Sequence, residues 1–383
     1  MPRSIQNAVH LFYKIFSLNR RRDQIPRCSM FNKWMAAAAM IVLLLISGCS
    51  KNDQSAVEKE DEMIETPDNE SNEQSAEEEL PYQFPLTGVG TESKSNSRAV
   101  AVMVNNDPKA RPQSGLEKAD IVYELLAEGN ITRFLAIYQS EQPEKVGPVR
   151  SARDYYIELA KGYDSLYIAH GYSPEAKDML DKGYIDNLNG ITYDGTLFKR
   201  ASFRKAPHNS YISFENILKG AEKRNYEMDD APASLTFLNK SELEDLNGEE
   251  ALSVMVSYFN SNLFNSIYEY DEELEKYKRY TNGELTKDYE SEEPVLLDNI
   301  FIVETDHKVI DEAGRRKINL TSGGRAYLIQ KGKWQEVQWE NIDGKILPII
   351  NGKQAGLVPG RTWINIIPSS PGLEQTVSFD VKE

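Results

Sequence analysis

The chain is poor in cysteine, with only Cys28 and Cys49 among its 383 residues. Two thiols are too few for a disulfide framework or a cysteine-based zinc site. The sequence also lacks the common metal, nucleotide and acyl-transfer motifs, since it has no H-E-x-x-H, P-loop, dinucleotide fingerprint or G-x-S-x-G. We therefore predict no metal and no cofactor, and a fold that depends on its core alone.

Positive charge is also scarce. The chain has 44 Lys and Arg residues against 60 Asp and Glu residues, which gives a formal net charge of −16. Non-specific binding to nucleic acid or to an anionic membrane surface requires a basic surface, so both are excluded. An anionic ligand would need a local basic pocket within this acidic protein.

A long hydrophobic run is missing as well. The longest apolar run covers residues 35–46, and it is shorter than the roughly 20 residues that a membrane-spanning helix requires. It follows a cationic flank and ends in small residues before Cys49, which is the pattern of a secretory signal peptide over residues 1–48. Residues 1–29 are either an upstream over-annotation or a long positively charged start, because Met30 could itself begin a signal.

The segment Ile46-Ser47-Gly48-Cys49 resembles the lipobox of bacterial lipoproteins. This resemblance implies cleavage before Cys49 and attachment of lipid, such as palmitate, to that residue. The protein would then be anchored by its lipid at the outer face of the cytoplasmic membrane. Residues 49–84 follow as the lipidated cysteine and an acidic linker, whose high charge and low hydrophobicity predict disorder.

After the linker, the predicted secondary structure changes near residue 240. Residues 85–240 alternate strand-like and helix-like segments, which predicts an α+β or α/β domain. It should contain a strand at 99–104, a hairpin formed by 121–126 and 131–138, a helix at 152–161 and a strand at 166–169. Two further helices should follow, one capped by Ser173 with Pro174 as its first residue and one capped by Ser213 that ends near residue 224. Residues 241–383 contain short β-rich runs separated by turn residues, which predicts a smaller, mostly β domain. The runs are at 252–258, 266–270, 276–280, 300–304, 326–330 and 334–339.

The sequence Gly147 to Asp154 is the first candidate site. Ser151 and Asp154 have capping-box spacing, which predicts a helix start. Arg150 and Arg153 would lie at this positive helix end, an arrangement that an anion bound between them would explain. The alternative is that nearby carboxylates simply pair with both arginines at the surface.

Three further regions could contribute to the same site. His170 follows a buried strand and precedes Ser173, the predicted cap of another helix, although it could also be a core histidine. Residues 199–209 are locally basic and predict a long loop, which would be either functional or merely solvated. Together the candidate ligand-binding residues are Arg133, Arg150, Ser151, Arg153, His170, Ser173, Arg204, His208 and Asn209.

Several segments resemble those of the YerB-like lipoproteins, a Gram-positive surface family of unassigned biochemical function. The segments are Ala119 to Glu124, Ile131 to Phe134, Gly147 to Arg153, His170-Gly171 with Ser173-Pro174, and Ala206 to Asn209. This resemblance implies a lipoprotein with separate N-terminal and C-terminal domains. It implies no catalytic residues.

These observations favour an envelope binding or scaffold lipoprotein with an anion-accepting cleft in its N-terminal domain. Its partners would be the membrane, through the lipid, and an anionic envelope ligand or another envelope protein. The alternative is an envelope hydrolase or transferase acting on phosphorylated or glycan substrates, with His170 and His208 as acid and base. A third possibility is an interaction module that has no small-molecule site.

Overall fold

The computed structural model describes residues 80–258 and 262–380. The predicted signal peptide, the predicted lipidation site Cys49 and most of the predicted linker lie outside these residues. No helix in the described part of the chain is long and apolar enough to cross a membrane.

The strands of the first half of the chain are short to medium in length. They are β1 Tyr82–Gln83, β2 Gly90–Thr91, β3 Val100–Asn105, β4 Ile121–Leu126, β5 Thr132–Tyr138, β6 Lys145–Val146, β7 Leu166–Ala169, β8 Asn187–Asn189, β9 Phe198–Arg200 and β10 Ser210–Ser213. The α-helices of the whole described chain are α1 Asp154–Lys161, α2 Pro174–Asp181, α3 Gly190–Tyr193, α4 Phe214–Arg224, α5 Lys240–Glu244 and α6 Leu373–Thr376.

The second half is richer in strands, as its sequence predicts. They are β11 Glu249–Glu250, β12 Ser253–Val256, β13 Ser266–Asp271, β14 Lys276–Thr281, β15 Glu284–Leu285, β16 Leu296–Leu297, β17 Asn299–Thr305, β18 His307–Val309, β19 Arg316–Ile318, β20 Gly324–Gln330, β21 Lys333–Ile342, β22 Lys345–Ile350, β23 Lys353–Gln354, β24 Thr362–Pro368 and β25 Val377–Phe379. Short 3-10 turns lie at Pro108–Ala110, Leu116–Lys118 and Asn262–Phe264.

One mixed sheet joins the two halves of the described chain. Its strand order is β23-β22-β21-β20-β17-β24-β4-β5-β3-β7-β8, with β11 paired to β21. The strands β17, β24 and β4 are parallel neighbours, and so are β3, β7 and β8. The pairing of β24 with β4 makes the sheet continuous across the predicted boundary near residue 240. The boundary itself stays a prediction.

Both faces of this sheet are covered. On one face, Ala101 and Met103 of β3 pack in the same cluster as Tyr156 of α1. On the other face, Val102 packs with α4 and with a second sheet of order β15-β14-β13-β12-β25, in which β16 also pairs with β14. Strands buried on both faces need apolar side chains at every position, which explains the uninterrupted apolar run of residues 99–104.

Several local predictions are confirmed. The strands β4 and β5 form the expected antiparallel hairpin. Ser173 caps α2 by accepting a hydrogen bond from the main chain, with Pro174 as the first helical residue, and Ser213 caps α4 in the same way. The β-rich runs of the second half form β12, β13, β14, β17, β20 and β21 near the predicted positions.

One local prediction is wrong. The helix α1 begins at Asp154 with Arg153 as its N-cap, and it has no side-chain cap. The capping box fails because the Ser151 hydroxyl donates instead to the carbonyl of His170 at 3.1 Å. The predicted long loop at residues 199–209 is largely confirmed, because residues 201–209 connect β9 to β10; only Lys199 and Arg200 lie in a strand, where β9 pairs antiparallel with β10.

Candidate functional site

The carboxyl ends of β3, β7 and β8 lie at one edge of the main sheet, because these strands are parallel. The strand β3 ends at Asn105, and His170 directly follows β7. The strand β5 begins at the same edge, where Arg133 lies opposite Asn105. Such strand ends commonly bind ligands in open sheets with parallel strands. We use the name strand-end edge for the set Asn105, Arg133, Arg150, His170 and His208.

The segment 147–153 crosses this edge and is fixed by main-chain hydrogen bonds. The N–H of Arg150 donates to the carbonyl of Met103 at 2.9 Å, and the carbonyl of Arg150 accepts from the N–H of His170 at 2.9 Å. The main chain of Arg150 is therefore held between β3 and the end of β7.

Two of the predicted arginines share one carboxylate. Arg133 pairs with Glu128, with 2.5 Å between Nη2 and Oε2, and Arg153 pairs with the other oxygen of the same side chain. Arg133 also donates to the carbonyl of Ser151 at 2.9 Å, and Arg153 donates to the carbonyl of Ala152. Both guanidiniums are thus held by groups of the protein.

Arg150 differs from both neighbours. Its Nε is buried and has no hydrogen-bond partner among the described residues. Burial and, to a smaller extent, the charge of Arg133 lower the pKa of Arg150 to about 10, whereas Asp107 acts in the opposite direction. A buried guanidinium nitrogen without an acceptor is costly, because guanidinium donors normally keep water or a protein oxygen as partner.

His170 is held in one orientation by a polar chain. Its Nδ1 lies 2.7 Å from the hydroxyl of Ser210, and its Nε2 lies 2.9 Å from Nη2 of Arg200. A guanidinium can only donate, so Nε2 accepts and the proton lies on Nδ1. Arg200 also pairs with Asp194 at 2.8 Å and donates to the Asn209 side chain at 3.2 Å. Burial and the charge of Arg200 lower the pKa of His170.

His208 lies beside the end of β3. Its Nδ1 is 2.9 Å from Nδ2 of Asn105 and 3.9 Å from the carboxylate of Asp107. Burial is the main reason that the pKa of His208 is lowered. The lowered pKa values favour the neutral form of both imidazoles, which can accept a proton but is a poor general acid. Within residues 80–258 and 262–380, no group of three or more His, Cys, Asp or Glu side chains could hold a metal ion.

The remaining predicted residues have mainly structural partners. The hydroxyl of Ser151 bonds the carbonyl of His170, and the hydroxyl of Ser173 caps α2. Arg204 donates both terminal nitrogens to main-chain carbonyls within residues 110–112. The site therefore brings together Arg133, Arg150, Ser151, Arg153, His170, His208 and Asn209, whereas Arg204 is anchored to a neighbouring segment.

Sequence reasoning missed a fully buried acid, Glu124 of β4. Its carboxylate accepts hydrogen bonds from Arg279 at 2.9 Å, Ser266 at 2.8 Å and Trp363 at 3.1 Å. Its solvent exposure is 0%. The available signal was a single acidic residue within the apolar run 121–126, since a charge in a buried strand requires a partner.

Comparison with known proteins identifies relatives over most of this chain. Residues 86–227 match a family described as the N-terminal domain of a protein of unknown function, DUF3048, and residues 254–364 match its C-terminal domain. The Bacillus subtilis (strain 168) protein YerB, named as a candidate lipoprotein, is 46% identical over 339 residues, which cover 88% of this chain and 96% of YerB.

The crystal structure of Bacillus subtilis YerB has the same fold. It superposes with a TM-score of 0.72 at 47% identity, and the match covers 78% of this chain and all of the solved one. The two family domains described above share the continuous main sheet through β4 and β24. The chain belongs to the DUF3048 family of YerB-like proteins, with its N-terminal and C-terminal domains both present.

Proposed function

We propose that this protein is a lipid-anchored binding protein of the cell envelope, and that its strand-end edge binds an anionic group through Arg150. The observation that carries this proposal is the buried Nε of Arg150, which has no acceptor in the described part of the chain. An anionic oxygen would supply a charge-assisted hydrogen bond, which is roughly twice as strong as a neutral one.

The charge of the surrounding residues supports an anion rather than a neutral ligand. Arg133 and Arg153 share the single carboxylate of Glu128, so the positive charge of the pair is only half compensated. Arg150 lies close enough to Arg133 for the two charges to repel each other. A bound anion would relieve this repulsion.

The protonation of the histidines favours binding over catalysis. His170 has both ring nitrogens engaged, by Ser210 and Arg200, and the pKa values of His170 and His208 are lowered by burial. An acid–base pair at neutral pH needs one partner that is protonated. The hydrolase or transferase alternative therefore has less support than the binding function.

Replacing Arg150 by glutamine is expected to weaken phosphate binding about 10- to 100-fold, which is the effect of losing one charge-assisted hydrogen bond. The measurement is calorimetric titration of phosphate and sulfate into the full chain in detergent. Arg325→Gln is the matched control, because Arg325 is a surface residue paired with Glu336 and Glu374. Equal affinity in Arg150→Gln and the native chain would show that the anion binds elsewhere.

Membrane attachment is tested separately at Cys49. The lipobox resemblance and the relative named as a candidate lipoprotein support lipid attachment at this residue. We expect Cys49→Ser to abolish incorporation of labelled palmitate in a Gram-positive host and to move the protein from the membrane fraction to the soluble fraction. Cys28→Ser should change neither result, because Cys28 precedes the predicted cleavage site. Unchanged labelling of Cys49→Ser would rule out this anchor.

A further inference from the structure

An acidic cavity lies between segments from the two halves of the chain. Its volume is about 230 Å³, which is smaller than most sites for drug-sized ligands. It is formed by the 3-10 turn Leu116–Lys118, by residues 143–145 and by residues within 288–293, which follow β15. None of its lining residues belongs to the strand-end edge. The cavity therefore suits a single functional group on a short chain.

The side chains that line this cavity carry an excess of negative charge. The carboxylates are those of Glu117, Glu144, Asp288, Glu290 and Glu293, and the lysines are Lys118 and Lys145. One of the two lysines, Lys145, already pairs with Glu290 at 2.5 Å. Protonation of one carboxyl group would still leave the lining negative. The charge of the cavity therefore favours a cation over an anion or a neutral group.

Glu117 is the buried acceptor of this cavity. It is only 9% exposed, and its Oε2 is buried and accepts no hydrogen bond from the described residues. Burial and then the charge of Asp288 raise the pKa of Glu117 to about 7, whereas its own main-chain N–H and the charge of Lys118 act in the opposite direction. A buried carboxylate oxygen without a donor is costly. Glu117 therefore needs either a proton or a bound cation.

Asp288, which adjoins Glu117, is fixed as a carboxylate. Its Oδ2 accepts from the N–H of Gly115 at 2.8 Å, and its Oδ1 accepts from the N–H groups of Glu290 at 2.7 Å and Ser291 at 2.8 Å. Burial would raise the pKa of Asp288, but these main-chain donors outweigh burial and lower it. A proton shared by the two carboxyl groups therefore belongs to Glu117, and a bound cation would displace it.

We propose that this cavity binds a primary ammonium group on an aliphatic chain, with Glu117 as its main acceptor. An ammonium is a compact charge with three N–H donors, and it suits carboxylates from separate segments better than a planar guanidinium does. Glu144 and Glu293, which are both exposed, attract it at the opening, and Pro143 contacts its aliphatic part. An organic cation is favoured over a metal ion, since no cluster of three or more His, Cys, Asp or Glu side chains in the described part of the chain could hold one.

Binding of the ammonium is coupled to ionisation of Glu117. The titratable groups nearest to this carboxyl, besides those of the lining, include Tyr138 of β5, whose pKa burial raises well above its usual value, so that it stays neutral near pH 7. With a pKa of about 7, roughly a tenth of Glu117 is ionised at pH 6 and roughly nine-tenths at pH 8. An alkylammonium stays charged throughout this range. It should therefore bind about tenfold more tightly at pH 8 than at pH 6.

The test measures binding of n-propylamine to the full chain in a non-ionic detergent by ligand-observed NMR, with 1-propanol as the neutral probe and detergent alone as the blank. We expect saturable binding of propylammonium, about tenfold tighter at pH 8 than at pH 6, and no saturable binding of propanol. Tighter binding of Nα-acetyl-lysine methylamide would point to a lysine side chain as the natural ligand, and weaker binding would point to a free amine. Equal binding of propanol, equal affinity at both pH values, or no saturable binding of propylammonium would overturn the proposal.

Variants locate the bound amine. Glu117→Gln keeps the size of the side chain but removes its charge, so it should weaken propylammonium binding at pH 8 at least tenfold, whereas Glu117→Asp should retain part of it. Glu336→Gln is the matched control, because Glu336 forms an exposed ion pair with Arg325. Unfolding temperatures are measured in parallel, and if Glu117→Gln does not fold, Glu117→Asp and the pH dependence of the native chain decide. Undiminished binding in folded Glu117→Gln, or displacement of propylammonium by equimolar Ca²⁺, would contradict the site.

Discussion

Replacing Glu124 by alanine is expected to lower the free energy of unfolding by about 3–5 kcal/mol, because it leaves the buried charge of Arg279 without its carboxylate. Glu124 and Arg279 are both almost completely buried, with exposures of 0% and 1%. The substitution also removes the acceptor for Ser266 and for the indole N–H of Trp363. The carboxylate therefore has two functions, to balance the charge of Arg279 and to accept these hydrogen bonds. Losing either one destabilises the contact between the main sheet and the second sheet.

The measurement is denaturant unfolding of the full chain in detergent. Glu336→Ala is the control, because Glu336 forms an exposed ion pair with Arg325 at 2.8 Å, and such pairs contribute at most about 1 kcal/mol. The double variant Glu124→Leu with Arg279→Leu should lose less stability than the sum of the two single variants, since it buries no unpaired charge. A loss for Glu124→Ala as small as that for Glu336→Ala would contradict the assigned role of this carboxylate.

The second large effect is expected at Gly162, the residue that ends α1. A Cβ atom there would lie 2.5 Å from the main-chain carbon and oxygen of Gly344, in the turn between β21 and β22. Both partners are backbone atoms of packed elements, so relief requires moving a helix or a turn. We expect Gly162→Ala to destabilise the protein by about 1–3 kcal/mol through overpacking, although alanine normally stabilises a helix relative to glycine.

Denaturant unfolding also tests this prediction. Gly283→Asn is a suitable control, because Gly283 has a left-handed backbone that asparagine tolerates and nothing lies within 4 Å of an added Cβ. Gly162 and Gly344 belong to the N-terminal and C-terminal family segments respectively. A stabilising Gly162→Ala would therefore show that these two segments do not pack together as closely as the structure indicates.

Much of the local structure could be predicted from sequence because its signals are local. The β4–β5 hairpin follows from two apolar runs around a turn, and Ser173 and Ser213 are helix caps that act on residues next to them. The predicted capping box at Ser151 was wrong because a contact that is distant in sequence competes with it. Its hydroxyl bonds His170, which is nineteen residues away, and no local pattern records that competition.

The shared sheet could not be predicted, because its central contact joins distant parts of the chain. The strand β24 pairs with β4, and Arg279 reaches Glu124 across 155 residues of sequence. The candidate residues could be selected from the sequence because basic residues are conspicuous in an acidic chain, and their role in ligand binding stays a prediction. The sequence could not show that Nε of Arg150 has no acceptor among the described residues, because this depends on which arginines the carboxylate of Glu128 reaches.

The most direct test of anion binding at the strand-end edge is a crystal structure of the protein grown in phosphate. We expect phosphate density within hydrogen-bond distance, about 3 Å, of Nε of Arg150. The Arg150→Gln variant crystallised in the same way should lack this density. A structure in which Nε of Arg150 instead donates to a protein oxygen, with no anion at the edge, would contradict the proposed function.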